Sequence, residues 1–457
     1  MRRMTDRAIR SHDDLLEIFE ASCHEEQALG VESEKFGVYA ATLAPLTYEG
    51  PRGVLGIFEA LCREHGYRPL HESEGGPIVA VERVGADGKS SQVTLEPGAQ
   101  FELSGAILAT VHEAEEELAR HLGELEPIVR ALGVRWLGVG YHPLASQAEL
   151  PWVPKARYPI MREYFPTRGG RGLDMMRRTA TVQVNVDFAS EADALRKLRV
   201  GLLLSPIVQA MFANSPFSEG KPTGRKSERA AVWLDADPDR TGLLPRMCAP
   251  GARFHDYAAW ALDAPMYLFK REGRVFANTG QTFKNFLADG FEGERATVGD
   301  WKMHLGTLFP EARLKTTIEL RSVDSLPRSL YCALPALWAG LLYDAEALAG
   351  AEELALSTLE PGALEAARPD IARLALSANA CGRPVRALAE RLVELAEGGL
   401  SRRARLDAEG RDERRHLASL GALVSRGQCP ADVLVAGLDV TVAPESLRAE
   451  IARRCAI

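Results

Sequence analysis

The sequence predicts an α+β fold, a mainly antiparallel sheet backed by helices and followed by a helical C-terminal part. Three observations predict it. Four segments alternate polar and apolar residues with the period of two that a strand requires. Helical spacing recurs between them at 107–132 and 191–213. Beyond Leu330 nearly everything reads helical, with Leu, Ala, Glu and Arg dominating. The 457 residues, 46% hydrophobic and 26% charged, supply ample core. A single catalytic domain over 1–457 is expected, with a sheet-bearing body at 11–345 and a helical part at 346–457 packed on it.

The elements follow in order. A helix at 11–28 leads into "VESEKFGV", where alternation puts Glu32 and Glu34 on one side. In "SQVTLEPGAQFELSG", Gln92, Thr94 and Glu96 alternate with Val93 and Leu95; after the Pro97-Gly98 interruption, Gln100, Glu102 and Ser104 alternate with Phe101 and Leu103. The helix that follows carries "HEAEEELARH", which lacks HExxH spacing and reads as a solvated face. "TATVQVNVDF" sets Thr181, Gln183, Asn185 and Asp187 against Val182, Val184, Val186 and Phe188. Two Gly/Pro/Asp-rich loops, 214–225 and 235–246, are candidate covers for a site. "RLKTTIELR", read as one strand, sets Arg313, Lys315, Thr317, Glu319 and Arg321 opposite Leu314, Thr316, Ile318 and Leu320. The longest apolar run, "ALPALWAGLLY" at 333–343, is far short of a membrane span.

Net charge is −8, so no global field draws nucleic acid or an anionic membrane, and the expected partners are small molecules. Any anion must be held by a local cluster of cations. Seven dispersed cysteines read as reduced thiols, and the start, "MRRMTDRAIRSHDD", has no apolar leader core; both point to a cytoplasmic address.

If the polar strands share one sheet, Glu32, Glu34, Glu96, Glu102 and Glu319 crowd one face. Ionised carboxylates tolerate such crowding only around something positive, and all-oxygen ligands suit Mg²⁺ or Mn²⁺. Arg313, Lys315 and Arg321 would then hold phosphate oxygens from the other side, an arrangement suited to phosphoryl transfer. "GKPTGRKS" at 220–227 fails as a P-loop, because its glycines are one residue too close and Arg225 displaces the Lys.

Together "GVESEKFGV", "TLEPGAQFELSGA", "GLDMMRRTATVQVNVDF", "ANSPFSEGKPTG", "DPDRTGLLP", "APMYLF" and "FPEARLKTTIELRSVDS" resemble, in order, glutamate–cysteine ligase of the plant and proteobacterial type. The resemblance implies a curved, mainly antiparallel sheet with outer helices, like that of glutamine synthetase. It implies ATP- and Mg²⁺-dependent joining of the L-glutamate γ-carboxyl to the amine of L-cysteine through a γ-glutamyl phosphate, the first step of glutathione synthesis. It places metal-binding carboxylates at Glu32, Glu34, Glu96, Glu102 and Glu319, with Asn185 beside them. Arg321 matches a cation that stabilises the transferring phosphoryl group, and Arg157, Arg229 and Tyr267 match the glutamate or cysteine pocket. Catalysis is thus expected of Arg321, Lys315 and Glu319, and nucleotide binding of Arg313, Lys315 and Arg321. Ala99 stands where the family commonly has Gly, and Ser33 where plant proteins have His. A ligase with another amine acceptor and a non-catalytic nucleotide-binding relative are the alternatives, and the expected assembly is a monomer or homodimer.

Overall fold

The computed structural model describes residues 7–85 and 88–457; the first six residues of the charged start lie outside them. Among the described residues nine strands form the main sheet: β1 (Leu29–Tyr39), β2 (Arg68–His71), β3 (Ile78–Val84), β4 (Ser90–Leu95), β5 (Phe101–Ser104), β6 (Val134–Leu137), β7 (Val182–Val186), β8 (Ala312–Leu314) and β9 (Ile318–Leu320). The order is β8-β9-β7-β1-β5-β4-β3-β2, with β6 on the far half of β1. Every pairing in this sheet is antiparallel.

Alternation decides which face is covered. Val182, Val184, Val186, Ile318 and Leu320 are all buried, in one apolar cluster with the helices Glu191–Met211, Ala333–Leu342 and Val385–Arg403. The first of these helices is apolar almost all round because it is enclosed by sheet and helices together, and Ser190 caps it by accepting from the Asp193 N–H. Helices Ala333–Leu342 and Val385–Arg403 cross at glycines. A Cβ on Gly399 would lie 2.0 Å from the Gly340 carbonyl oxygen, so only glycine permits this approach.

Two expectations change here. "RLKTTIELR" is not one strand but a hairpin, β8 and β9, turned by Lys315–Thr317. The three-residue turn keeps Arg313 and Glu319 opposite one another on the same face, while Thr316, expected on the core side, is exposed at the tip. "HEAEEELARH" is not a solvated face: His112, Glu117 and His121 are buried. Glu117 accepts from the Ala106 N–H, His112 meets His416 of the C-terminal part at 3.1 Å, and His121 meets Lys35 at 3.0 Å. All seven cysteines are free, and no described helix is long and apolar enough to cross a membrane.

Candidate active site

The opposite face of the sheet floors a cavity of about 470 Å³. Strand register arranges its polar side chains in rows. Thr94, Glu102 and Glu34 lie side by side across β4, β5 and β1. Gln92, Ser104, Glu32 and Gln183 form the next row, and Gly30, Asn185, Glu319 and Arg313 the third. Cross-strand neighbours stand about 4.5–5.5 Å apart at Cβ, so the acids of adjacent strands face one another. Glu96 joins them from the turn after β4, which closes through Ala99 at φ 63. That left-handed backbone favours glycine, so a side chain at Ala99 is strained there. Gln100 holds the turn against the segment before β7 by donating to the carbonyls of Met176 (3.1 Å) and Thr179 (2.8 Å).

Burial and mutual repulsion act on these carboxylates. Glu102 is pushed up to about 8, by burial first and then by Glu32 and Glu96. Burial, Glu102 and Glu96 raise Glu34 well above the usual range, and burial with Glu319 raises Glu32. Asn185 donates to Glu32 (2.9 Å) and accepts from Thr317 (3.0 Å), and Thr94 donates to Glu102. An all-oxygen set strained by like charge is what a divalent cation relieves, so the donor chemistry fits one. The acids are not yet gathered around a point. Among the described residues no three His, Cys, Asp or Glu side chains converge as a ready cage.

Glu319 stands in a different environment from the other four. It is fully buried beneath Arg313 (2.7 Å), Lys315 (2.9 Å) and Arg321. Against the effect of burial, Arg313, Arg321 and Lys315 hold it far below the usual carboxylate range. Arg321 also donates to Gln183 at 2.5 Å, and Arg313 to the carbonyls of Gly306 and Leu308, both at 2.9 Å. The hairpin is therefore a preassembled cationic wall with its own internal counter-ion.

The three residues matched to an amino-acid pocket also line this cavity. Arg157 sits at its rim, exposed, over the Tyr158 ring. Tyr267 is buried, with Arg240 stacked 3.7 Å from its ring and its hydroxyl without a partner. Arg229 is buried and donates to the backbone carbonyls of Arg321 (2.9 Å) and Ser322 (3.0 Å), so it fixes the chain that bears Arg321. Sequence reasoning missed Lys270 and Lys302, which also line the cavity, from a short hairpin and a helix with no polar alternation to mark them.

The loops expected to cover the site are pinned. Asp324 accepts from the Asn214 N–H (2.7 Å), the Ser215 hydroxyl (2.7 Å) and the Ser227 hydroxyl (2.8 Å) and so anchors both ends of the first loop. In the second, Arg240 donates to Asp237 at 3.0 Å with both side chains fully buried, and Thr241–Gly242 pairs with Phe309–Pro310. Breaking buried contacts of this kind is costly, so the bases of both loops are fixed.

Three comparisons bear on this site. The profile of glutamate-cysteine ligase family 2 (GCS2) matches residues 28–455. Chloroplastic glutamate–cysteine ligases of Brassica juncea and Arabidopsis thaliana are each 40% identical over 430 residues, 93% of this chain and 80% and 79% of theirs. A crystal structure of glutamate–cysteine ligase from Francisella tularensis in complex with AMP superposes with a TM-score of 0.52 at 12% identity, over 95% of this chain and 89% of that one. The last likeness is one of fold. The plant enzymes are named as chloroplastic, which overturns the cytoplasmic address expected from the sequence.

Proposed function

The chain belongs to glutamate–cysteine ligase family 2, and we propose that the glutamate rows and the cationic hairpin are the machinery of its reaction, ATP-dependent joining of the glutamate γ-carboxyl to the amine of cysteine in glutathione synthesis. The observation that carries this reading is the meeting, in one cavity, of Glu32, Glu34, Glu96 and Glu102 with Arg313 and Arg321.

A carboxylate is a poor acylating agent, so its γ-oxygen first takes the terminal phosphoryl group of ATP. Arg321 and Arg313, which line the cavity, would offset the negative charge that develops on that group, with Lys315 beside them on Glu319. Glu319 keeps all three cations in place before the nucleotide arrives, so little reorganisation accompanies phosphate binding. Arg229 holds the Arg321 backbone, and Gln183 orients its guanidinium. Arg157 and Tyr267 face the amino-acid end, the first offering charge and the second a free hydroxyl. Glu32, Glu34, Glu96 and Glu102 would hold Mg²⁺ or Mn²⁺, while Glu319, expected among them, does not line the cavity and is engaged by Arg313, Lys315 and Arg321. A bound divalent ion supplies charge neutralisation between carboxylate and phosphate oxygens.

The test is ADP release measured with ATP, Mg²⁺ and amino acids added singly and together. Release that requires both glutamate and cysteine is the expected result. Turnover independent of cysteine, or equal with other amines, contradicts the assignment of the acceptor.

A further inference from the structure

Arg240 does not line the cavity, yet it holds two of the segments that do. It is fully buried, and Asp237, buried with it, accepts from its Nε at 3.0 Å. That ion pair aims the rest of the guanidinium group. Its carbon lies 3.7 Å from the centre of the Tyr267 ring, and its Nη2 donates to the carbonyl of Pro265, just ahead of that tyrosine in the chain. Its Nη1 donates to the carbonyl and the hydroxyl of Thr307, both at 3.2 Å. The backbone continues the tie, since the Phe309 N–H donates to the Arg240 carbonyl at 2.8 Å. Tyr267, Thr307 and Phe309 all line the cavity.

A guanidinium group carries its donors in fixed directions and stacks its flat face on aromatic rings. Here Nε is taken by Asp237, Nη1 by Thr307 and Nη2 by Pro265, so the plane cannot turn without breaking buried hydrogen bonds. A ring stacked on such a plane has its tilt set by it. Tyr164 adds an edge contact, its ring centre 4.9 Å from that of Tyr267. The Tyr267 hydroxyl has no hydrogen-bond partner, so the ring is held by packing and not by a tether at its tip.

We propose that Arg240 is a positioning residue for the amino-acid end of the site, acting through the ring of Tyr267. The proposal rests on the ligase reading for what Tyr267 meets. The neighbours of Thr307 in the chain, Gly306 and Leu308, accept from Arg313, so the same side chain keeps Tyr267 in register with the cationic wall. No bond is made or broken at Arg240. It sets the pose in which an amino acid faces the phosphoryl group, and small misplacements of that kind are costly to turnover.

Fluorine NMR of the full-length protein labelled with 3-fluorotyrosine tests the brace, with the Tyr267 signal identified by its loss in Tyr267→Phe. Arg240→Lys keeps a positive charge beside Asp237 but loses the fork and the stack. Asp237→Asn removes the ion pair that aims them, and it decides the matter should the first variant fail to fold. In either variant the Tyr267 signal should shift or broaden, while tyrosines remote from Arg240 keep theirs. In ADP-release kinetics the Michaelis constant for glutamate or cysteine should rise by about tenfold or more, and that for ATP by less than about threefold. The ATP value is spared because Arg313 keeps its pairing with Glu319. A merely structural role would lower the active fraction, and so kcat, without moving any Michaelis constant. The proposal is overturned if the Tyr267 signal is unmoved in a folded variant, if both amino-acid constants match the wild type, or if the ATP constant rises as much as theirs. Wild-type protein that releases no ADP with glutamate and cysteine together would instead remove the ligase reading, and the fluorine spectrum would still decide whether Arg240 positions the ring.

Discussion

Glu319 ties the proposed chemistry to stability. It is buried among Arg313, Lys315 and Arg321, so removing its charge leaves three cations facing one another without a counter-ion. Breaking a buried pair in this way costs about 3–5 kcal/mol. Glu319→Gln should therefore lower the melting temperature as well as turnover, the latter by about 10²-fold or more as the cation wall loses its geometry. A variant that melts and turns over normally contradicts this placement. A second residue-scale outcome concerns pH. His142 is fully buried, and its Nδ1 accepts from the Ala145 N–H (2.9 Å); burial first, then Arg178 and Arg448, depress it to about 3. An unfolded histidine titrates near 6.5, so between about 6.5 and 3 the unfolded chain binds a proton that the folded chain refuses. This contribution is present above pH 6.5 and is lost as pH falls, by about 2 kcal/mol at pH 5. Melting curves of the wild type and His142→Asn at pH 7 and pH 5 should accordingly converge toward the acid; a constant gap contradicts a neutral buried imidazole.

At the scale of elements, the polar strands were legible because a period of two leaves no ambiguity about which residues share a face. Glu32 and Glu34 share a face for that reason, and the pairing of β1 with β5 then sets Glu102 beside Glu34. The turn at Lys315–Thr317 was not legible, since "KTT" carries none of the Gly, Asn or Asp signals that mark hairpins. The loops at 214–225 and 235–246 do carry turn chemistry, yet their anchors, Asp324 for the first and the strand at Phe309–Pro310 for the second, lie far away in sequence. Local composition cannot report such ties. The helix crossing at Gly340 and Gly399 belongs to the same class of non-local fact. Gly399→Ala gains helix propensity of about 1 kcal/mol but drives a methyl group into a carbonyl oxygen. Overpacking costs about 1–3 kcal/mol and more against rigid backbone, so the variant should melt several degrees lower while keeping its Michaelis constants. Unchanged melting would mean that the helices part without cost.

At the scale of the whole molecule, one apolar cluster runs from Leu15 through the sheet strands to Leu420 and Ala431 in the C-terminal part. We therefore propose that the catalytic body and the helical part fold as one unit, and the shift caused by Gly399→Ala should move a single transition instead of splitting it. The chain order of the sheet was beyond reach from the sequence, because strands of the central rows come from residues near 32, 102, 183 and 319 and only tertiary pairing brings them together. The chemistry was easier to read than the topology, because crowded carboxylates and an arginine-rich hairpin have few other uses on one polar face. The most direct measurement is a crystal structure with ADP and Mn²⁺, with manganese located by its anomalous scattering. The account predicts manganese within about 2.0–2.3 Å of carboxylate oxygens from Glu34 and Glu102, with the nucleotide's phosphates against Arg321. Manganese elsewhere, with those glutamates unligated beside a bound nucleotide, would contradict it.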